Sequence, residues 1–283
     1  MEKINLKNSV IAIGLFSFLA LLFLTPKDGH ETFWYAIAVA GLMVLFWLFE
    51  VVPIYVTALF PFVLAVPLGI LEPSDLSAAY GHKYIYLFLG GFTLSLALEK
   101  WDVHKQIAEG IIRFVGTSKP RIILGFLLST GLLSMWISNT ATALMMLPMA
   151  LAVLSKVEKG KLSKFSMLLL LAVAYGASIG GMATLVGSPP NILMAGILSE
   201  NYGINVDFFT WMKIGFPLSL IMLSIVFVFF YFLLGKERNE NLYEVHEESK
   251  KWTTNQKRVI VLFSAIVLLW SFRMTLTKFA GFN

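Results

Sequence analysis

Eight stretches of this chain run for fourteen or more residues without Asp, Glu, Lys or Arg, and they decide where it can fold. They are 8–26, 32–49, 51–71, 84–98, 122–155, 165–199, 214–235 and 259–272, with lengths of 19, 18, 21, 15, 34, 35, 22 and 14 residues. A helix that crosses a bilayer needs about 20 mostly apolar residues. The first three runs and the 22-residue run each fit one helix, and the two short runs extend into flanking residues such as Trp101 and Arg273. Helix is the only sensible spanning element, because backbone groups in lipid must pair within their own segment. The alternation of a membrane barrel strand is absent. Hydrophobic residues make up 58% of the 283 and charged residues 14%, against about 45–50% and 25% in soluble domains. A soluble enzyme, a disordered chain and a disulfide scaffold are excluded together. With no cysteine, thiol catalysis, zinc–thiolate sites and iron–sulfur ligation go too. The net charge of +5 reads as membrane-flanking Lys and Arg, with no nucleic-acid partner.

The two long runs carry the specific information. Run 122–155 is too long for one span and marginal for two, and its centre is polar: Ser134-Met-Trp-Ile-Ser138-Asn139-Thr140-Ala-Thr142. Two half-helices meeting at that polar tip make a re-entrant hairpin. Run 165–199 contains Gly176, Gly180-Gly181 and Gly187-Ser188-Pro189-Pro190-Asn191. Proline removes a backbone donor and disfavours helix in the residue before it, so this helix breaks near Gly187. Ser188 suits a cap and Pro189 the first position of a restarted helix. The expected helices are 9–25, 33–50, 53–71, 84–101, about 165–198 with its break, 212–234 and 257–273. Residues 102–119 form an amphipathic surface segment.

With the N-terminus inside, seventeen Lys and Arg fall on the inner side and five (Lys27, Lys83, Lys213, Arg273, Lys278) outside, accounting for all 22. That bias fits the positive-inside rule and places residues 156–164 and 236–258 in the cytoplasm of a cell whose plasma membrane, the bacterial inner membrane, holds the protein. Lys3 and Lys7 before an apolar run also resemble a signal peptide, but no clear cleavage site follows Pro26, which favours an uncleaved first helix.

No nucleophile–base pair, phosphate loop or zinc motif occurs, so the residues argue against an enzyme. His30, His82, His104 and His246 are scattered without metal spacing, and Glu50 beside Val51-Val52-Pro53 reads as interfacial. What remains is two breaks rich in small and polar residues. Irregular backbone at membrane depth is tolerated where it is buried or lines a cavity. Restarted helices offer N–H groups and positive partial charge to an anion, while Ser, Asn and Thr oxygens suit a hard cation. The bland alternative, hydroxyls that only satisfy helix packing, is weaker for two clustered breaks than for a lone Ser.

Residues 134–148, ending in Ala-Leu-Met-Met-Leu-Pro148, are similar to the Ser-Asn-Thr signature of the divalent-anion:sodium symporters. Thr184-Leu-Val-Gly187-Ser188-Pro189-Pro190-Asn191 resembles that family's companion break. Leu87-Phe-Leu-Gly90-Gly91-Phe92, Glu99-Lys-Trp101, Glu50-Val-Val-Pro53, Pro61 and Pro67-Leu-Gly69-Ile70 resemble its second to fourth helices. The resemblance implies an all-α polytopic helix bundle, the first of two inverted repeats, that carries a dicarboxylate, citrate or sulfate with co-transported sodium. It implies sodium ligands at Ser134, Ser138, Asn139 and Gly187, and substrate contacts at Ser138, Asn139, Thr140 and Ser188. It also implies a homodimer in the lipid membrane with an elevator-like shift. The expected organisation is an N-terminal helix (1–32), the first repeat (33–235, hairpin about 120–155, broken helix about 165–198), a cytoplasmic linker (236–256) and the first helix of an incomplete second repeat (257–283). Only one Ser-Asn-Thr tip is present. The half-length is expected to reflect a truncation or fragment, a split transporter, or self-association; the charge bias disfavours the antiparallel insertion that self-completion needs. The alternative function is a non-transporting membrane assembly or scaffold subunit, or a carrier of sulfate or another divalent anion.

Overall fold

The computed structural model describes residues 2–26, 29–157, 163–239 and 251–272. Helices dominate, and no strand forms among the described residues. The chain divides into two compact units, residues 1–85 and 86–283.

In the first unit, α1 (Glu2–Leu24) pairs with α2 (Glu31–Leu48) around Phe18, Ala38, Val39, Leu42 and Phe46. Gly14 lets α2 approach: a Cβ there would stand 3.1 Å from the Phe46 ring and 3.2 Å from Leu42. Glu50 follows α2 in the left-handed region, φ 46°, and its backbone oxygen accepts Lys7 Nζ at 2.6 Å. Glu50 is exposed, in keeping with an interfacial turn. The helix expected over 53–71 is not continuous. It is split into α3 (Ile54–Thr57) and α4 (Phe60–Leu64), followed by α5 (Pro73–Tyr80). Pro53, Pro61 and Pro67 each lack a backbone donor, and Gly69 turns at φ 65°. Apolarity alone did not register those interruptions.

The second unit holds most of α6 (Lys83–Lys100), then α7 (Val103–Val115), α8 (Lys119–Ser134), α9 (Asn139–Val157), α10 (Lys164–Gly180), α11 (Pro189–Tyr202), α12 (Phe208–Leu234) and α13 (Thr254–Ser271). α7 is the amphipathic segment foreseen over 102–119, with Val103, His104 and Ala108 buried and Phe114 92% exposed. His104 is structural; its Nδ1 lies 3.3 Å from Leu98 O. α13, expected to begin at 257 as the first helix of a second repeat, starts at Thr254, behind a Thr253–Gln256 capping box. Residues 240–250 and 273–283, parts of the expected linker and final segment, lie outside the described residues.

The core of this unit gathers Phe126, Leu127, Met146, Phe165, Leu169 and Leu223 around α8, α9, α10 and α12. Lipid is as apolar as leucine, so such a bundle coheres through close packing and hydrogen bonds more than through water expulsion. Glycines make the closest approach. A Cβ on Gly180 would fall 2.6 Å from Gly131 Cα, and one on Gly176 would fall 2.9 Å from Leu127 O. At the opposite end of α8 and α10 from those breaks, a single carboxylate joins three helices. Glu237 Oε2, in the 3-10 turn Gly235–Asn239 that ends α12, accepts Lys119 Nζ at 3.3 Å and the Phe165 backbone N–H at 3.3 Å. Lys119 is almost fully buried and also lies over the Phe165 ring, 5.5 Å from its centroid.

Three of the described helices are long and apolar enough to cross a membrane: Leu6–Leu24, Glu31–Leu48 and Phe208–Glu237. The protein is an integral membrane protein of the all-α class.

Candidate functional site

Both predicted breaks form, and they meet. α8 ends at Ser134 and α9 begins at Asn139, leaving four residues as a tip. At 1.5 Å per residue, α8 rises about 24 Å, short of the roughly 30 Å hydrocarbon core. Ser138 caps the restart: its Oγ accepts the Ala141 backbone N–H at 3.3 Å and its carbonyl accepts Thr142 N–H at 2.9 Å. Trp136 sheathes the tip, stacked on Phe208 with centroids 5.9 Å apart and edge-on to Phe263 at 4.9 Å.

The second break is longer than the sequence indicated. α10 already ends at Gly180, and residues 181–187 run through turns before Ser188 leads into α11 at Pro189. Ser188 occupies the N-cap in an extended conformation without a side-chain cap bond. Thr184 Oγ1 donates to Met135 O and accepts from Gly187 N–H at 3.1 Å, so one buried hydroxyl ties the tip to the break. Asn191 Nδ2 spans the break from inside, donating to Gly181 O at 2.8 Å and to Thr184 O at 2.7 Å.

Ser134, Asn139 and Gly187, three of the four expected sodium ligands, lie close to one another. The Ser134 hydroxyl is fully buried. It lies 2.8 Å from Asn139 Oδ1 and 2.6 Å from Ala177 O. A hydroxyl has one proton and two lone pairs, so it can donate to Ala177 O while the Asn139 amide stands against its lone pairs. Asn139 Oδ1 also presses on Gly181, where any Cβ would collide with it. At Gly187 a Cβ would stand 2.6 Å from Gly181 O, 2.9 Å from Ser134 O and 3.0 Å from Met135 O. Backbone carbonyls therefore crowd Gly187 and the Asn139 amide crowds Gly181, and each of these positions has room only for glycine. Among the described residues no group of three His, Cys, Asp or Glu forms, so the chemistry is that of neutral oxygens: a hard, singly charged cation suits it, a transition metal does not.

The remaining candidates lie further out. Ser138, Asn139 and Ser188 are half-buried and Thr140 is exposed. Thr140 and Ser188 do not join the buried oxygen cluster; they sit at the first turns of α9 and α11, where helix N–H groups are unpaired. Asn191, Thr184 and Gly181 stand in the motifs without having drawn a role, although an Asn directly after Pro-Pro is a signal for a side chain that closes the break. Trp211 and Ser219 on α12 also bind the break, and nothing in their local sequence announces it.

A family model described as citrate transporter matches residues 44–283. The sodium-dependent dicarboxylate transporter SdcS of Staphylococcus saprophyticus is 35% identical over 276 residues, covering 92% of this chain and 53% of that protein. The same-named transporter of Staphylococcus aureus strain USA300 is likewise 35% identical over 276 residues, with the same coverage. The chain thus spans about half the length of the curated relatives it matches.

Proposed function

The chain belongs to the citrate transporter family, and from that premise we propose that it forms the sodium-binding first half of a secondary transporter that moves a di- or tricarboxylate together with sodium. The observation that carries this reading is the buried oxygen cluster of Ser134, Asn139, Gly181 and Gly187, too crowded for a side chain and lacking any carboxylate. Sodium sits among Ser134, Ser138, Asn139 and the Gly187 backbone. The anion lies outside it, against Ser138, Asn139, Thr140 and Ser188 at the starts of α9 and α11. The relatives' names support sodium and a dicarboxylate as the pair carried. A second half, inverted relative to this one, completes the anion cradle, and two such transporters associate as a homodimer. α8 and α9 enter and leave the plasma membrane from the cytoplasmic side, on which the N-terminus also lies.

The topology is open to labelling, since the chain has no cysteine. Ser155→Cys, at the end of α9, should react only after the membrane is permeabilised, and Asn201→Cys, at the end of α11, should react from outside. Strong external labelling at position 155 would sink the re-entrant arrangement.

Sodium and substrate should also bind cooperatively. No Lys or Arg lies within either break, and a helix end offers only about half an elementary charge, so two ends cannot neutralise a dianion. Bound sodium supplies the difference, and by linkage each ligand raises the other's affinity by the same factor, about 5–150-fold for typical couplings. The check is succinate binding to the full-length protein in sodium and in choline at equal ionic strength. Equal affinities would refute sodium-assisted anion binding.

A further inference from the structure

Where α10 ends, Ala177 O, Ile179 O and Gly180 O keep local backbone donors in the Gly181, Met182 and Ala183 N–H groups, and two further donors to this stretch come from one face of α12. Trp211 Nε1 donates to Met182 O at 2.9 Å, and Ser219 Oγ donates to Ile179 O at 3.0 Å. Gly215 lies between them at four-residue spacing, the repeat that aligns side chains on one helix face. A Cβ on Gly215 would come 2.7 Å from Met182 O and 3.0 Å from Ala183 O, so its missing side chain lets α12 press on the broken backbone. Ser219 is fully buried. Met182 directly follows Gly181, whose carbonyl crowds Gly187 and whose Cα abuts Asn139 Oδ1. The hydrogen bond at Met182 therefore fixes the peptide plane next to the oxygen cluster.

We propose that the Trp211–Gly215–Ser219 face of α12 sets the geometry of the sodium site, with Trp211 and Ser219 as positioning residues that touch neither ion nor anion. This rests on the sodium reading of the cluster. Without Trp211 the Met182 carbonyl loses its indole donor, and without Ser219 the Ile179 carbonyl keeps only the Met182 N–H; a buried polar group that loses a partner costs free energy, which its peptide relieves by rotating, and the neighbouring Gly181 carbonyl shifts with it. Sodium affinity falls while the anion-facing starts of α9 and α11 stay in place.

The test is sodium-dependent succinate uptake by the full-length protein, with surface amount measured in parallel, and a sodium titration of thermal stability on the purified protein. Ser219→Ala and Trp211→Phe should each raise the sodium concentration for half-saturation roughly three- to tenfold, the range that loss of one hydrogen bond spans. The succinate KM at saturating sodium should remain near wild type, and Ser219→Thr, which keeps the hydroxyl, should restore the sodium response. Unchanged half-saturation in both variants, or a loss confined to the amount of folded protein, overturns the assignment. Wild-type uptake and stability indifferent to sodium would instead remove the sodium reading beneath it.

Discussion

Gly180→Ala should leave little folded protein in the membrane, the largest stability effect expected of any single methyl group in the chain. α8 and α10 touch there through backbone alone: the new Cβ would stand 2.6 Å from Gly131 Cα and 2.7 Å from its carbonyl carbon. No side chain can swing away, so the helices themselves must part. Forced overpacking costs about 1–3 kcal/mol where side chains can adjust, and this contact sits at or above the top of that range. Separation also pulls Ser134 from Ala177 O, a 2.6 Å hydrogen bond worth about 0.5–1.5 kcal/mol. The matched control is Gly110→Ala on α7, where a Cβ meets nothing within 4 Å and alanine should favour the helix by about 0.5–1 kcal/mol. Yield and monodispersity in detergent, with thermal midpoints, decide the matter. If the two variants behave alike, the close contact of α8 and α10 is not what holds this bundle.

Asn139→Ala should abolish sodium-dependent uptake while leaving the amount of protein nearly unchanged. The side chain is half-buried, and its oxygen faces the Ser134 hydroxyl at 2.8 Å, so removal takes away a ligand without opening a large void. Loss even of residues behind a metal's ligands costs about 10–100-fold in affinity, and loss of a direct oxygen ligand in a site closed to water lies at or beyond that. Thr140→Ala, at the exposed start of α9, should weaken the anion and leave the sodium dependence of the remaining uptake intact. Uptake by the Asn139 variant with ordinary sodium dependence would remove this residue from the site.

The family and the helical class were legible in the chain itself. The charge-free runs located most of the helices, and the polar centre of 122–155 together with Gly-Ser-Pro-Pro located both breaks. The resemblance to divalent-anion:sodium symporters, drawn from those motifs, agrees with the citrate transporter match and the 35% identity to sodium-dependent dicarboxylate transporters. Two features were not legible, for different reasons. The region 53–71 counts as one span by apolarity, but its prolines subtract donors that a count of charges does not see. The break after α10 starts at Gly180 and not near Gly187: carbonyls beyond it find donors in Asn191 and Trp211, and Ser134 and Ser219 add second donors to Ala177 O and Ile179 O. Those donors are up to 43 residues away, and no local rule reports them. Pro148 and Pro217, by contrast, stay inside α9 and α12; a single missing donor is absorbed within a long, packed helix, whereas Pro189-Pro190 stands where the ladder has already ended.

The carboxylate of Glu237 sets a clock on how this bundle is made. Lys119 begins α8, yet its partner lies 118 residues later in the chain. At a synthesis rate of roughly 5–20 residues per second, α8 leaves the ribosome about 6–24 s before Glu237 does. Through that interval the Lys119 ammonium is without this carboxylate, and so is the Phe165 N–H that shares it. α8 and α10 are therefore made early and locked late. Until α12 is inserted, its closing turn cannot fasten them.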